Sequence, residues 1–407
     1  MTTVVVIGSG GREHALADVL SRTADTVIVT PGNPGIPGST DTPATELDAD
    51  LFVVGPEVPL VAGLADELRA QGKLVFGPGA DGAQLEGSKS YMKDVLVAAG
   101  VPTAAHGTFT EVEPALEFLA TMSAPFVLKT DGLAAGKGVL VTDSRERAEA
   151  AIPEYLSGDA FGDAGATLVI EEGLTGPEVS VFAICDGDKA VALAPAQDHK
   201  RVFDSDLGPN TGGMGAYTPL AWADPDLVDV VMAEHIEPTL QELKRRGIDY
   251  RGTLFAGLML TLAGPKMLEY NIRFGDPETQ VILPRIDSDL VELLSQAAAG
   301  NITSAPSFSN DSLAVVVCAS EGYPSTPRTG DAIEGIEEAQ AIDGVSVYAA
   351  GVKADEEGAL ITGGGRVLNV VGRGDTIEAA IEAAYAGVGK ISWPGMHYRS
   401  DIARQAI

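Results

Sequence analysis

The sequence predicts an α/β protein that opens with a doubly wound parallel sheet, and three features of the chain point to this. Continuous apolar runs recur in the first hundred residues, at VVVIG (4–8), TVIV (26–29), LFVVG (51–55) and KLVFG (73–77). Runs without polar alternation are what strands buried on both faces require. Between the last two, Leu60, Val61, Leu64, Ala65 and Leu68 repeat at helical spacing, so a helix connects parallel strands. The 48 glycines and 24 prolines are spread along the chain, as a protein with many strand–helix turns needs. A length of 407 residues with 45% hydrophobic content implies two to four domains with sizeable cores and excludes a disordered chain.

The elements follow in order. The link from Pro31 to Asp50 is rich in Pro, Gly and Thr and too short for a full helix. A helix starts near Ser88, with Met92, Val95, Leu96 and Ala99 on one face, and stops at Gly100 and Pro102. Residues 120–190 read as a compact α+β unit with strands FVLK, VLVT, TLVIEE and EVSVFAIC and a helix near 144–156. A long amphipathic helix over 225–246 precedes the strands GTLFAGLMLTL and PKMLEYNIRF. The last hundred residues are strand-rich, with SLAVVVCA, VSVYAAGV and GRVLNVV, then a helix from Thr376.

Composition narrows the function classes. A net charge of −31 argues for solubility and against a nucleic-acid partner, which needs a basic face. Any anionic substrate must be met by a local concentration of the few Lys and Arg. Cys185 and Cys318 lie far apart in apolar runs and read as buried thiols of a reducing cytosol. With only five histidines, scattered along the chain, there is no zinc-type spacing. The N-terminus lacks a basic n-region, and no apolar segment reaches the length of a membrane span. The expected location is cytoplasmic.

Two constellations carry the chemistry. TDGLAAGKGV (130–139) packs glycines and a lysine between two apolar runs. It is not a Walker A loop, because Gly132 is separated from Gly136-Lys137 by three residues and Gly138 stands where Ser or Thr should be. Strand signals on both sides make it a hairpin. Its glycines let backbone N–H groups approach a phosphate, and Lys129 and Lys137 add positive charge. In PKMLEYNIRFGDPETQ, strand alternation turns Leu268, Tyr270, Ile272 and Phe274 one way and Glu269, Asn271 and Arg273 the other. A buried row of carboxylate, amide and guanidinium is costly unless something binds there. Glu269 and Asn271 are hard oxygen ligands for magnesium, and Arg273 suits a phosphoryl or carboxylate oxygen. The alternative is a solvent-facing strand with a surface ion pair.

Two loops complete the candidates. Gly8-Ser9-Gly10-Gly11-Arg12-Glu13 joins the first strand to a helix but misses the G-x-G-x-x-G fingerprint. A glycine-rich helix N-terminus with an arginine still suits a phosphate monoester. QDHKRVFDSDLGPNTGGMG (197–215) is polar and glycine-rich, and reads as a functional loop. His199, alone within it, reads as a hydrogen-bonding group rather than a catalyst.

Taken together these motifs resemble the glycinamide ribonucleotide synthetase family of the ATP-grasp superfamily. The resemblance runs nearly end to end, through GSGGREHAL (8–16), PGNPG (31–35), GPEVPLVAGLAD (55–66), LEGSKSYMK (85–93), KTDGLAAGKGV (129–139), FGDAG (161–165), IEEGLTGPEVS (170–180), QDHKRVFDSDLGPNTGGMGAY (197–217), EYNIRFGDPETQ (269–280) and TGGGRVLNVV (362–371). It implies a Rossmann-like substrate domain over 1–100, an ATP-grasp domain over 101–305 with a lid at about 120–190, and a β-rich domain over 306–407. Between Ser39 and Asp50 the chain is shorter than the strand–helix stretch the resemblance implies.

The implied reaction is ATP-dependent ligation of glycine to 5-phosphoribosylamine through a glycyl phosphate, with Mg2+ or Mn2+, by a monomer or homodimer. By resemblance, Lys89, Lys129, Gly132, Gly136, Lys137 and Gly138 meet the ATP phosphates. Glu171, Glu172 and Leu174 lie in the segment that reads adenine, and Glu178 binds the ribose. Glu269 and Asn271 hold the metal. Gly10, Gly11, Arg12, Glu13, Glu57, Asp198, Lys200, Asn210, Thr211 and Arg273 contact glycine and phosphoribosylamine. Arg273, Lys137 and Asp198 carry the chemistry. Rival readings are another ATP-grasp ligase or carboxylase, a nicotinamide dehydrogenase, which the broken fingerprint opposes, and a non-catalytic nucleotide sensor.

Overall fold

A computed structural model describes residues 1–132, 138–157 and 167–407. Among these residues the strands gather into four larger sheets. The N-terminal one is parallel, in the order Thr26–Pro31, Thr3–Gly8, Leu51–Val54, Val75–Phe76. Its central strands are buried on both faces, as unbroken apolar runs require. The helical repeat after Leu51–Val54 forms two helices, Glu57–Val61 and Leu64–Ala70, separated at Gly63, which takes a left-handed φ of 89°. The short segment after Pro37 is filled by chain running along the sheet edge: Thr40 N–H donates to Val29 O, and only a 3-10 turn, Ala44–Glu46, follows.

The unit expected over 120–190 is built differently. Its sheet is antiparallel in the order His106–Phe109, Leu168–Glu172, Phe126–Thr130, Val139–Thr142. It has its own small core, in which Leu119, Phe126, Leu128, Ile152 and Ile170 meet. Glu178–Asp186 is not part of it. That strand pairs along its whole length with Arg251–Thr261, in a sheet completed by Ala190–Ala192 and Gly264–Asn271. The physical reason is burial. Val179 to Cys185 is an almost unbroken buried run, and it needs a central position that the small sheet does not provide.

The long helix expected over 225–246 is interrupted. Leu227–Val231 and Glu237–Arg245 flank a π-helical turn at Met232–Ile236. Residues 197–215, read as a loop, contain short strands. Gln197–Asp198 and Gly215–Thr218 extend the C-terminal sheet, in the order 197–198, 215–218, 312–319, 366–374, 345–349, with helix Ile377–Val388 beside it. The C-terminal sheet is thus shared with the central region, and one continuous core joins both to the N-terminal sheet.

Candidate active site

Helix Lys89–Ala99 begins at Ser88, whose hydroxyl accepts a hydrogen bond from Tyr91 N–H at 3.1 Å. Lys89 and Lys93 lie one turn apart and share a face. Lys89 Nζ donates to Gly132 O at 3.0 Å. Lys93 is fully buried, donates to Thr103 Oγ1 at 2.8 Å, and sits 3.0 Å from Glu171 Oε2. The other Glu171 oxygen is 3.0 Å from Lys129 Nζ, which also reaches Leu268 O at 3.3 Å. Burial lowers the Lys93 pKa to about 8 against the pull of Glu171. Burial also pushes the Glu171 carboxyl upward, but Lys129 and Lys93 outweigh it and hold its pKa below the usual range. Asp131, at the base of the hairpin, accepts from Ser90 N–H at 3.2 Å and from Ser90 Oγ at 2.6 Å. A helix N-terminus and several lysines therefore converge where the small sheet meets the central one.

Tyr270, Ile272 and Phe274 are buried, but the strand ends at Asn271 and a register shift near Leu268 breaks the expected alternation, so that Met267 is buried instead of Leu268. Arg273 lies beyond the strand and joins the polar row through Asn271. Leu268 is only half-buried. Burial depresses the Lys89 pKa, and the neighbouring Glu269 carboxylate opposes the shift. Glu269 stands opposite Gly257, so the adjacent strand presents no side chain there. Arg273 donates to Glu86 Oε1 at 2.6 Å, Asn271 Oδ1 at 3.0 Å and Glu57 Oε2 at 3.2 Å. No group of three or more His, Cys, Asp or Glu able to hold a metal occurs among the described residues. Glu269 and Asn271 are a two-oxygen set beside a lysine-rich face, which fits a hard cation that completes its shell with phosphate oxygens and water.

The N-terminal loop comes to the same place. Arg12 donates to Phe274 O at 3.0 Å, just beyond Arg273. Glu13 is buried, accepts from Gly10 N–H at 2.6 Å and pairs with Arg12 Nε at 2.6 Å. Its carboxylate closes the helix N-terminus. Gly11 packs against Asn369, whose Nδ2 lies 2.2 Å from where a Cβ would stand. Burial raises the Glu57 pKa, but Arg273 and Arg12 together bring it below the ordinary value.

The 197–211 segment supplies the last side. Lys200 Nζ bonds both Asp198 oxygens, at 2.8 and 2.9 Å, and lies 3.1 Å from Glu178 Oε2. The residue expected at the ribose is thus joined to two expected at the substrates. Thr211 closes the neck of the segment, donating through N–H and Oγ1 to Lys200 O at 2.7 and 2.8 Å. Asn210 is exposed and pairs with Arg201. His199 is buried, and its Nε2 accepts from Ala403 N–H at 3.1 Å, a structural role. Gly138 O accepts from Thr130 N–H at 2.9 Å, and Glu172 Oε2 accepts from Ala105 N–H at 3.1 Å; Leu174 is half-buried. Gly136, Lys137 and the FGDAG motif lie outside the described residues.

Several residues here were not singled out from the sequence. Lys93 and Glu86 lie within LEGSKSYMK, and spacing of four from Lys89 was the available signal for Lys93. Glu278 is buried beside Ser180 Oγ at 3.2 Å. Burial and the nearby Asp198 carboxylate push its pKa up to about 7. Arg366 reaches from the C-terminal sheet to Asp276 O and Gly212 O, both at 2.7 Å.

Models of the three phosphoribosylglycinamide synthetase domains match this chain in sequence order: the N domain over 2–86, the ATP-grasp (A) domain over 87–279 and the C domain over 313–405. The chain belongs to the phosphoribosylglycinamide synthetase family. It is 47% identical to the phosphoribosylamine–glycine ligase of Caulobacter vibrioides, across 100% of this chain and 98% of that one. It is likewise 47% identical to the Escherichia coli O157:H7 enzyme of the same name, across 99% and 98%. The crystal structure of phosphoribosylamine–glycine ligase from Thermotoga maritima superposes with a TM-score of 0.88 at 33% identity, covering 98% and 99% of the two chains. A biotin carboxylase domain from Hydrogenobacter thermophilus, at 16% identity and a TM-score of 0.75, shares the fold. The family's activity is a ligase reaction of purine biosynthesis that joins glycine to phosphoribosylamine, and this chain is an enzyme of that class.

Proposed function

We propose that ATP binds where Lys89, Lys129 and the start of helix Lys89–Ala99 face Glu269, with glycine and 5-phosphoribosylamine on the Arg273 side. The observation that carries this reading is the convergence of those lysines with the Glu269, Asn271, Arg273 row at one junction. Glu171–Leu174 and Glu178 would border the adenosine. Amide formation from a free carboxylate stalls because oxide is a poor leaving group. In the first step the glycine carboxylate attacks the γ-phosphorus and ADP leaves, giving an acyl phosphate. In the second, the amine attacks the acyl carbon and the C–O bond to phosphate breaks. Phosphate departs, and the nitrogen gives up a proton.

Neither step needs a covalent enzyme nucleophile, so the protein's task is to position the reactants and neutralise charge. Lys89 and Lys129 would offset phosphate charge. Arg273, fixed by Glu57 and Glu86, would orient a carboxylate or phosphoryl oxygen. Glu269 and Asn271 would hold Mg2+ or Mn2+, which lowers the charge repulsion between the attacking carboxylate and the phosphates. Asp198 and Lys200 would contact the amino and phosphate groups of the substrates, and Arg12 the 5-phosphate. Glu269→Ala should lower kcat by about 100-fold or more in an assay of ADP release that depends on both glycine and phosphoribosylamine. Near-normal turnover would refute the metal assignment. Turnover with bicarbonate in place of glycine would refute the substrate assignment.

A further inference from the structure

We propose that residues 397–405 act as a strap that positions the substrate-facing segment 197–211, with Arg399 as the positioning residue. The inference rests on the reading of Asp198 and Lys200 as substrate contacts.

Gln197–Asp198 is held in the C-terminal sheet and Thr211 closes the neck, but the ribbon between them has little local support. Strands Arg201–Phe203 and Leu207–Asn210 pair only with each other, and a lone two-stranded ribbon is marginal in water. Its tip is unfavourable. Ser205 and Asp206 take φ values of 60° and 53°, rare for residues with a Cβ. Phe203 and Leu207 are exposed.

The missing restraint comes from nearly 200 residues further along the chain. Arg399, 2% exposed, donates to Asp401 Oδ1 at 2.7 Å and Oδ2 at 2.8 Å. It also donates to Asp206 Oδ1 at 2.6 Å and to Arg201 O at 3.1 Å. Asp401 Oδ2 in turn accepts from Ser205 N–H at 2.7 Å. One guanidinium–carboxylate unit therefore grips both tip residues with positive φ. Ser400 N–H donates to Asp204 Oδ1 at 2.8 Å, and its hydroxyl meets the other Asp204 oxygen. His397 Nε2 lies 2.8 Å from Val202 O, and Ala403 N–H reaches His199 Nε2 at 3.1 Å. The contacts thus run from the tip back to the residue between Asp198 and Lys200. If this strap loosens, Asp198 keeps its place in the sheet, while Lys200 sits at the root of a ribbon whose orientation is no longer set.

The test uses the whole 407-residue chain with Arg399→Leu and Arg399→Lys. In Arg399→Leu, amide hydrogen exchange over 201–210 should accelerate by about tenfold or more, as expected for loss of charged hydrogen bonds. Exchange in strands Glu178–Asp186 and Arg251–Thr261 should stay unchanged. KM for glycine or phosphoribosylamine should rise about tenfold while KM for ATP stays within about twofold. Arg399→Lys should recover part of each effect, since one ammonium cannot reproduce the bidentate fork.

Should Arg399→Leu fail to fold, Asp206→Asn tests the same link from a side chain that is 70% exposed. It should show the same pattern with smaller amplitude. Unchanged exchange over 201–210, or a KM rise shared equally by ATP, would overturn the proposal. Lys200→Met serves as the control. If it leaves KM for glycine and phosphoribosylamine intact, the substrate reading of the segment fails, whereas the exchange result still decides on the strap.

Discussion

Glu171→Gln removes the carboxylate that stands between two lysines while preserving its shape. In the native protein each Glu171 oxygen is 3.0 Å from one ammonium, and Glu171 and Lys93 are essentially inaccessible to water. Removing one member of such a buried group leaves uncompensated charge, which costs about 3–5 kcal/mol. The cost depends on pH, because Lys93 has an escape by losing its proton. Its native pKa is already lowered to about 8, and without Glu171 it falls further. An unfolded lysine holds its proton to about 10.4.

Stability rises with pH wherever the unfolded chain binds more protons than the native one. For the wild type this lysine gives that slope only above about pH 8. In the variant the window opens lower, adding about 1.4 kcal/mol per pH unit through neutrality. Urea unfolding of both proteins at intervals from pH 6 to pH 8 should therefore show a gap of several kcal/mol at the acid end that narrows steadily. Parallel curves, or a gap under about 1 kcal/mol at pH 6.5, would refute the charge-clamp reasoning. KM for ATP should also rise in the variant, because Lys129 loses the partner that orients it.

The same linkage runs the other way at Glu278. Its pKa, raised to about 7, means that its stabilising contribution is present below the usual carboxyl range and is lost as pH rises through 7. Glu278→Gln should therefore gain on the wild type by up to about 3 kcal/mol between pH 5 and 7; chemical denaturation with no divergence across that interval would contradict the assignment. At Gly11 a Cβ would stand 2.2 Å from Asn369 Nδ2 and 2.8 Å from Gln280 Nε2, with Asn369 fully enclosed. Gly11→Ala should cost about 1–3 kcal/mol by overpacking, and Asn369→Ala in the same chain should recover part of it. Additive losses in that double mutant would exclude the clash as the cause.

Much of the architecture was legible because it is written in short-range periodicity. The N-terminal apolar runs became the parallel sheet, and Glu269 and Asn271 lie on the expected strand, with Arg273 just beyond its end. Thr376 is the N-cap of the final helix, and Gly100 ends the one that begins after Ser88. The errors were of partnership. EVSVFAIC is plainly a strand, yet nothing in its eight residues says that it belongs beside Arg251–Thr261 rather than in the small sheet. The π-helical turn in the long helix and the short strands within 197–215 had no signature of their own.

By itself the sequence determined most of the strands and helices, many of the side chains that share a face, and, through the order of its motifs, the reaction class. Backbone geometry and residue chemistry act over a few positions, so local pattern is enough for these. Only the tertiary structure decided that Lys93 and Lys129 share Glu171, that Glu278 is near Asp198, and that Arg399 and Asp401 grip the tip at Asp206 and Ser205. Those pairings join residues tens to nearly 200 positions apart. They form because the buried sheets close in one arrangement, and a charge enclosed by that closure must find its partner among whatever the fold brings near.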